Sequence, residues 1–258
     1  MLRFRSLGSG STGNATLIEA TSGSRTTRLL VDCGFGLRQL DARLARNGLV
    51  ATQIDAVFVT HEHGDHIGCA NALARRDRVP VWMSEGTWLA TGGHDYQGQL
   101  RLARDGVEIA VGDLSLQPFT VPHDAREPLQ LVCSDGARRL GVLTDLGHAT
   151  PYVLARLAGL DALLLECNHD SDLLAQSAYP AFLKHRVGGN YGHLSNAAAG
   201  AIARAVSHDR LRHVVAAHLS EQNNRPDIVR RVLAEALGGA EGDMLTANAS
   251  EGSPWLDV

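Results

Sequence analysis

Seven residues in a row carry the strongest chemical signal: Thr60-His61-Glu62-His63-Gly64-Asp65-His66. Histidine nitrogen suits zinc, manganese and iron, and carboxylate adds a hard oxygen. His61, His63, Asp65 and His66 cannot all reach one ion from a single strand or helix, because their spacings are two, two and one. A loop can divide them, with His61 and His63 on one ion and Asp65 and His66 on a neighbour. Two adjacent ions are the equipment of hydrolysis: each acidifies bound water, and a hydroxide between them can attack phosphorus in line.

Such ligands need rigid supports, and the sequence supplies apolar runs in front of them. Residues 56–60 (Ala-Val-Phe-Val-Thr) read as a buried strand that runs straight into His61. Residues 28–31 read as a strand ending at Asp32. Residues 139–143 precede Asp145, residues 160–165 precede Glu166, and residues 213–217 precede His218. In a layered α/β protein, side chains just past strand ends collect along one sheet edge, where ligands bind. Further strands are expected at 2–7, 15–19, 79–83, 107–110, 114–120 and 130–133. Asp135-Gly136 marks a hairpin between the last of these and residues 139–143. Helical spacing covers 37–46 and 67–75. Ser195 and Asn196 can cap a helix running to about residue 206, and proline opens another over 226–237. The last fifteen residues carry no clear pattern.

The chain has 258 residues, 44% hydrophobic and 20% charged, which excludes a disordered protein. No linker or repeat interrupts it, so one domain over 1–258 is expected. No apolar run approaches the ~18 residues needed to span a bilayer. Met1-Leu-Arg-Phe-Arg5 leads into polar chain, not into a signal-peptide core. Cys33, Cys69, Cys133 and Cys167 form no CxxC pair. They read as free thiols in a reducing cytoplasm. The net charge of −4 gives no overall attraction to nucleic acid, so only a local basic patch could supply it. Lys184 is the only lysine among the basic residues, a bias that a GC-rich genome would produce.

The HxHxDH loop resembles the defining motif of the metallo-β-lactamase fold superfamily. The remainder of that pattern has counterparts in the family's order: Asp32 in Val31-Asp32-Cys33-Gly34, His123 after Phe119-Thr-Val-Pro, Asp145 in Leu143-Thr-Asp145-Leu-Gly147, and His218 in Ala217-His218-Leu-Ser220. Within the superfamily the chain is similar to the YycJ/WalJ-like proteins. The matching stretches are Gly8-Ser-Gly-Ser-Thr-Gly-Asn14, Glu166-Cys-Asn-His-Asp170, Tyr179-Pro180 and Gly192-His-Leu-Ser-Asn196. The resemblance implies a four-layered αββα sandwich. It implies two divalent ions, zinc or manganese with iron as an option. His61, His63 and His123 would hold one, Asp65, His66 and His218 the other, and Asp145 would bridge them. Asp32 would stand behind the ligands and orient a histidine, unless it only forms the turn before Cys33-Gly34. The catalytic set becomes Asp65, Glu166 and His193. His193 competes with His218 for the last ligand position. His218 is preferred because it directly ends an apolar strand, whereas His193 lies in a glycine-rich loop. Glu166 and His193 then resemble the pair that protonates the leaving oxygen in tRNA-processing phosphodiesterases.

The expected activity is therefore that of a phosphodiesterase or exonuclease on nucleic acid. The alternative is hydrolysis of a small thioester, lactone or cyclic phosphodiester on the same metals. The stretch between Asp145 and His218 is too short for the large inserted domain of many RNA-processing members. No glycine- and proline-rich arm is present either, and both absences favour the compact exonuclease-like branch. Residues 84–105, with Trp88, His94 and Tyr96, could stack on bases at the mouth. His169 and Asp170 could line the substrate side, or Asp170 could cap a helix. His94, His148, His185, His208 and His213 read as solvated or packing residues. Residues 8–14 lack the lysine of a nucleotide-binding loop. They could bring backbone toward the metals or donate amides to a phosphate, or serve as a plain hairpin turn.

Overall fold

The computed structural model describes residues 1–258. Its strands are β1 Leu2–Gly8, β2 Ala15–Ser22, β3 Arg25–Val31, β4 Ala56–Phe58, β5 Val81–Met83, β6 Leu100–Leu102, β7 Ile109–Val111, β8 Leu114–Thr120, β9 Leu129–Ser134, β10 Arg139–Leu143, β11 Ala162–Glu166, β12 His213–Ala217, β13 Leu245–Thr246 and β14 Leu256–Asp257. The helices are α1 Leu37–Ala45, α2 Gly64–Ile67, α3 Ala70–Asp77, α4 Glu85–Ala90, α5 Pro151–Arg156, α6 Ser171–Gln176, α7 Ala181–Val187, α8 Asn196–Val206 and α9 Pro226–Leu237.

The strands form two seven-stranded sheets, ordered β14-β1-β2-β3-β4-β5-β6 and β13-β12-β11-β10-β9-β8-β7. Each sheet is antiparallel on one side and parallel on the other. In the first, β1, β2 and β3 pair antiparallel, and β3 to β6 pair parallel. In the second, β7 to β10 pair antiparallel, and β10 to β13 pair parallel.

Strand alternation explains the packing. Leu29 and Val31 of β3, and Ala56 and Phe58 of β4, face the layer between the sheets. Leu30 and Val57 face the helical layer that includes Leu40, Leu44 and Leu73. In β11, Ala162 and Leu164 face inward, while Leu163 and Leu165 meet α8 and α9 on the outside. Burial on both faces is why these strands read as unbroken apolar runs. The result is the expected αββα sandwich.

The parallel strands deliver Asp32, His61, Asp145, Glu166 and His218 to one edge. β8 runs in the same direction as β10, because both are antiparallel to the β9 between them, and so it delivers His123 there too.

Several expected elements differ. The helix expected over 67–75 is two pieces, α2 and α3, broken at Gly68 with φ of 32°. A Cβ on Gly68 would lie 2.3 Å from the Cys33 carbonyl oxygen, so the turn presses backbone on backbone. Residues 84–105 contain α4 and β6, and Thr87 of α4 donates to Glu62 of the HxHxDH loop at 3.4 Å. Tyr96 is buried in the layer of α1 and α3, and Trp88 packs against that layer with its indole N–H donating to the His94 carbonyl at 3.0 Å. The Tyr96 ring is therefore not free to stack on a base. All four cysteines are buried and unpaired. No helix is long and apolar enough to cross a membrane.

Gly34 fixes how the metal-type loop docks on β3. A Cβ there would lie 1.7 Å from the Asp65 carbonyl oxygen, an overlap that only backbone movement relieves. Gly34→Ala should therefore lower unfolding stability by about 1–3 kcal/mol, the usual cost of overpacking. Urea denaturation of the metal-free protein measures it, and an unchanged midpoint would contradict this packing.

Candidate metal centre

The strand-end residues meet where the two sheet edges face each other. Three sets of potential ligand atoms lie within 4.8 Å of one another: His61, His63 and His123; Asp65, His66 and His218; and His61, His66 and Asp145. A fourth joins Asp145, Glu166, His193 and His218. All nine predicted metal and catalytic residues are thus in one cluster, and His63, Asp65, Asp145, His193 and His218 of it line a cleft of about 460 Å³.

Hydrogen bonds fix which nitrogen of each ring faces inward. Asp32 accepts from the Thr60 amide at 2.8 Å and from the Thr60 hydroxyl at 3.0 Å. The Thr60 oxygen, having donated, can accept only from His61 Nδ1, 3.0 Å away. His66 Nδ1 donates to the other Asp32 oxygen at 2.7 Å. His123 Nδ1 donates to the Gly192 carbonyl at 3.0 Å. In each case Nε2 is left with its lone pair directed at the cluster, the arrangement that tunes metal-binding histidines. His61 Nε2 lies 3.0 Å from His63 Nδ1, and His123 Nε2 lies 3.3 Å from the same atom.

Asp145 lies between the sets. Its Oδ2 is 3.0 Å from His66 Nε2, and its Oδ1 is 3.2 Å from His218 Nδ1 and 3.3 Å from His193 Nδ1. The carboxylate is 1% exposed, yet neither oxygen has a hydrogen bond of acceptable geometry. Buried polar atoms in this state signal a missing partner. A divalent cation on each side matches both the orphaned oxygens and the mixed nitrogen and oxygen donor set.

Electrostatics fit the same conclusion. Burial pushes His61 well below its ordinary pKa, helped by neighbouring His66, and burial lowers His123 as well, so both are neutral donors. Burial would likewise lower His66, but Asp145 and Asp32 overcome it and push it up to about 10. His218 is raised well above its ordinary value against the same burial, chiefly by Asp145. Burial would raise Asp145, but His218 and His66 hold it well below the carboxylate range. The negative potential that retains these protons equally favours divalent ions in their place.

Two of the turns that shape the cluster are strained. Asp32 has φ of 61° and His218 φ of 53°, left-handed values uncommon outside glycine. The glycine-rich segment 8–14 braces them, and its Ser11 lines the cleft. The His218 amide donates to Ser9 Oγ at 2.8 Å, and the Asn14 amide donates to the Asp65 carbonyl at 2.8 Å. Asn14 Nδ2 lies 3.1 Å from His66 Nε2. The family resemblance marks the stretch of Ser9 and Asn14, and Thr60 opens the HxHxDH signal, but neither shows what these side chains hold. Their role depends on a hairpin folding over a distant loop.

Glu166 joins His193 to the cluster. It is fully buried, with Oε2 accepting from the Leu146 amide at 2.7 Å and Oε1 2.6 Å from His193 Nδ1. Burial would lower His193, but Glu166 and Asp145 raise it to about 9. The weaker candidates fall outside the cluster. Asp170 caps α6 through the amides of Asp172 and Leu173. His169 is buried beside α7, and His94, His148, His185, His208 and His213 belong to none of the ligand sets.

Comparison with known proteins agrees with this geometry. The family described as "Beta-lactamase superfamily domain" matches residues 27–218. The exodeoxyribonuclease YycJ of Bacillus anthracis is 32% identical, over 92% of this chain and 89% of that protein. The exodeoxyribonuclease WalJ of Streptococcus pneumoniae serotype 2 is 31% identical, over 93% of this chain and 89% of that protein. The crystal structure of the metallo-β-lactamase fold protein YhfI from Bacillus subtilis shares the fold, with a TM-score of 0.75 at 18% identity, covering 99% of this chain and 98% of that one. The chain belongs to the beta-lactamase superfamily, as a hydrolase of the metallo-β-lactamase fold.

Proposed function

We propose that the chain is a dinuclear metal-dependent exonuclease that acts on the end of a DNA strand. The observation that carries this is the Glu166–His193 pair. A carboxylate 2.6 Å from one ring nitrogen holds a cationic histidine beside the ligand cluster, 23% exposed to the cleft. That is a proton donor for a poor leaving group, such as the sugar oxygen of a phosphodiester. Two relatives at 31–32% identity are named exodeoxyribonucleases, which supports the same substrate. Four buried, unpaired cysteines suit a reducing cytoplasm.

In this reading His61, His63 and His123 hold one ion, Asp65, His66 and His218 hold the other, and Asp145 lies between them. Zinc and manganese both suit the donors, and iron is acceptable. When bound, the ions supply Lewis-acid charge to the phosphate and acidify water. The protein's own groups do the rest. Asp32 and Thr60 keep His61 and His66 in the metal-binding tautomer. Leu146 and Leu194 amides fix Glu166, at 2.7 and 3.3 Å. Glu166 spends both oxygens on position, which leaves His193 Nε2 to protonate the departing oxygen.

Reconstitution with zinc or manganese should load two ions per chain, and metal analysis that never exceeds one would end the dinuclear reading. The loaded protein should shorten end-labelled DNA stepwise, and His63→Ala should abolish this. A wild type that leaves DNA and RNA intact but hydrolyses a thioester, lactone or small cyclic diester would shift the substrate to that class.

His193→Ala tests the acid directly. The variant should keep both ions and lose about 10²–10⁴ in rate on DNA, the usual worth of such a group. On a nitrophenyl phosphodiester, whose leaving group needs no proton, it should lose far less. Equal losses with intact metal content would remove His193 from this role, and a fall in metal content would make it a ligand.

A further inference from the structure

The ligand cluster uses the two ends of the turn at 10–13 but not its tip. On one side Ser9 takes the His218 amide at 2.8 Å. On the other, Asn14 donates its own amide to the Asp65 carbonyl at 2.8 Å and its Nδ2 to the same oxygen at 3.2 Å. Asn14 Oδ1 also reaches across the turn to accept from the Gly10 amide at 2.9 Å, and the Gly13 amide closes on the Gly10 carbonyl at 3.0 Å. The tip, Ser11 and Thr12, is thus pinned between two of the proposed ligands of one ion. Both tip residues are exposed, and Ser11 lines the cleft together with Asp65, Asp145 and His218. Neither tip amide makes a backbone hydrogen bond. The Ser11 amide and hydroxyl are therefore unused donors on a fixed frame at the cleft, and donors fixed in advance lose little when a ligand arrives.

The charge of the cleft says what they suit. Asp65, Asp124 and Asp145 line it, and its one arginine, Arg186, already donates through Nε to Asp124 Oδ2 at 2.6 Å. A further lysine or arginine close to the ligands would repel the divalent ions that the cluster calls for. Neutral N–H and O–H groups hold a phosphate oxygen without adding net charge. Backbone amides and serine hydroxyls are common partners of nucleic-acid phosphates.

We propose that Ser11 is a substrate-positioning residue: its amide and hydroxyl hold the phosphodiester next to the scissile one. The proposal rests on the nuclease reading and deepens it. The scissile phosphate belongs at Asp145, between the two ligand sets. Ser11 stands to one side of that point, beside Asp65 and His218, where the strand continues. A contact to backbone phosphate carries no base information, so the turn accepts any sequence, paired or unpaired.

The test is steady-state kinetics of the metal-loaded protein on end-labelled DNA and on bis(p-nitrophenyl) phosphate, which has one phosphate and no neighbour. Ser11→Ala should raise KM for DNA about ten-fold, the scale of one hydrogen bond to a charged group. Ser11→Thr keeps both donors and should restore the wild-type KM. On the nitrophenyl diester Ser11→Ala should lose far less, and it should still bind two ions. A neutral methylphosphonate at the second linkage from the digested end is the complementary change. It should raise KM for wild type, and Ser11→Ala should then add little, because both changes remove one contact. If the two losses multiply instead, Ser11 does not touch that phosphate. If wild type digests DNA and Ser11→Ala leaves KM unchanged, the contact is absent while the nuclease reading stands. Equal losses on both substrates, or a fall in metal content, would make the turn a support of the ions and overturn the proposal. So would a defect confined to DNA that carries a terminal phosphate, since the turn would then hold that end group. A wild type inactive on every oligonucleotide overturns both readings.

Discussion

A buried carboxylate with no hydrogen bond is the constraint around which this molecule is built. Burying an isolated carboxylate costs tens of kcal/mol on an idealised Born estimate, so it must meet compensating charge. Asp145 meets three histidines within 3.3 Å and two clusters of metal-type donors. Those groups come from both sheets: His66 from the loop after β4, His193 from the loop before α8, and His218 from the end of β12. The charge requirement therefore acts across the interface between the sheets. It is satisfied only when both edges are in register. The apolar layer between the sheets provides most of the burial, but it does not by itself choose a position along the strands. The site does.

Register is transmitted through backbone rather than side-chain contacts. Asp32 and His218 leave their strands in left-handed conformations, which turn each side chain back over the edge. Such geometry costs about 1–3 kcal/mol per residue and persists only where neighbours over-determine it. Here they do. The Asp32 amide donates to the Phe58 carbonyl at 2.8 Å, and the Cys33 amide donates to the His66 carbonyl at 2.9 Å. The His218 amide is taken by Ser9. Gly34 and Gly68 allow the two loops to touch without a Cβ between them. The strain at Asp32 is thus offset by hydrogen bonds from β4 and the residues after it, and that at His218 by one from the first hairpin.

Legibility in the sequence followed physical range. The HxHxDH loop and the apolar runs ending at Asp32, Asp145, Glu166 and His218 were readable, because burial on both faces leaves an uninterrupted signal. The order of the layers followed from the family resemblance those residues carry. Short helices were not readable. α4, α6 and α7 have six or seven residues each and bury two, one and none of them, so no periodic stripe exists to detect. β6, β13 and β14 are two or three residues long and exist only because a neighbour pairs with them. Tyr96 misled for a related reason: an aromatic in a polar tract looks exposed until the tract folds against the core.

Two histidines compete for the same carboxylates, and their surroundings separate them. His218 is 2% exposed, and its Nε2 turns toward Asp65 at 3.3 Å, on the side of His66. Its backbone is locked by Ser9 at the end of a central strand. His193 sits in a loop, is 23% exposed, and commits Nδ1 to Glu166. A metal ligand is best held by rigid surroundings, while a proton donor must present one nitrogen to a substrate that comes and goes. Strand end and loop meet these opposite demands, and Glu166, 3.5 Å from His218 Nδ1 and 2.6 Å from His193 Nδ1, couples them. Any substitution that moves Glu166 must therefore disturb the proposed ligand and the proposed acid together. The chemistry of the site is divided between two histidines whose positions are not independent.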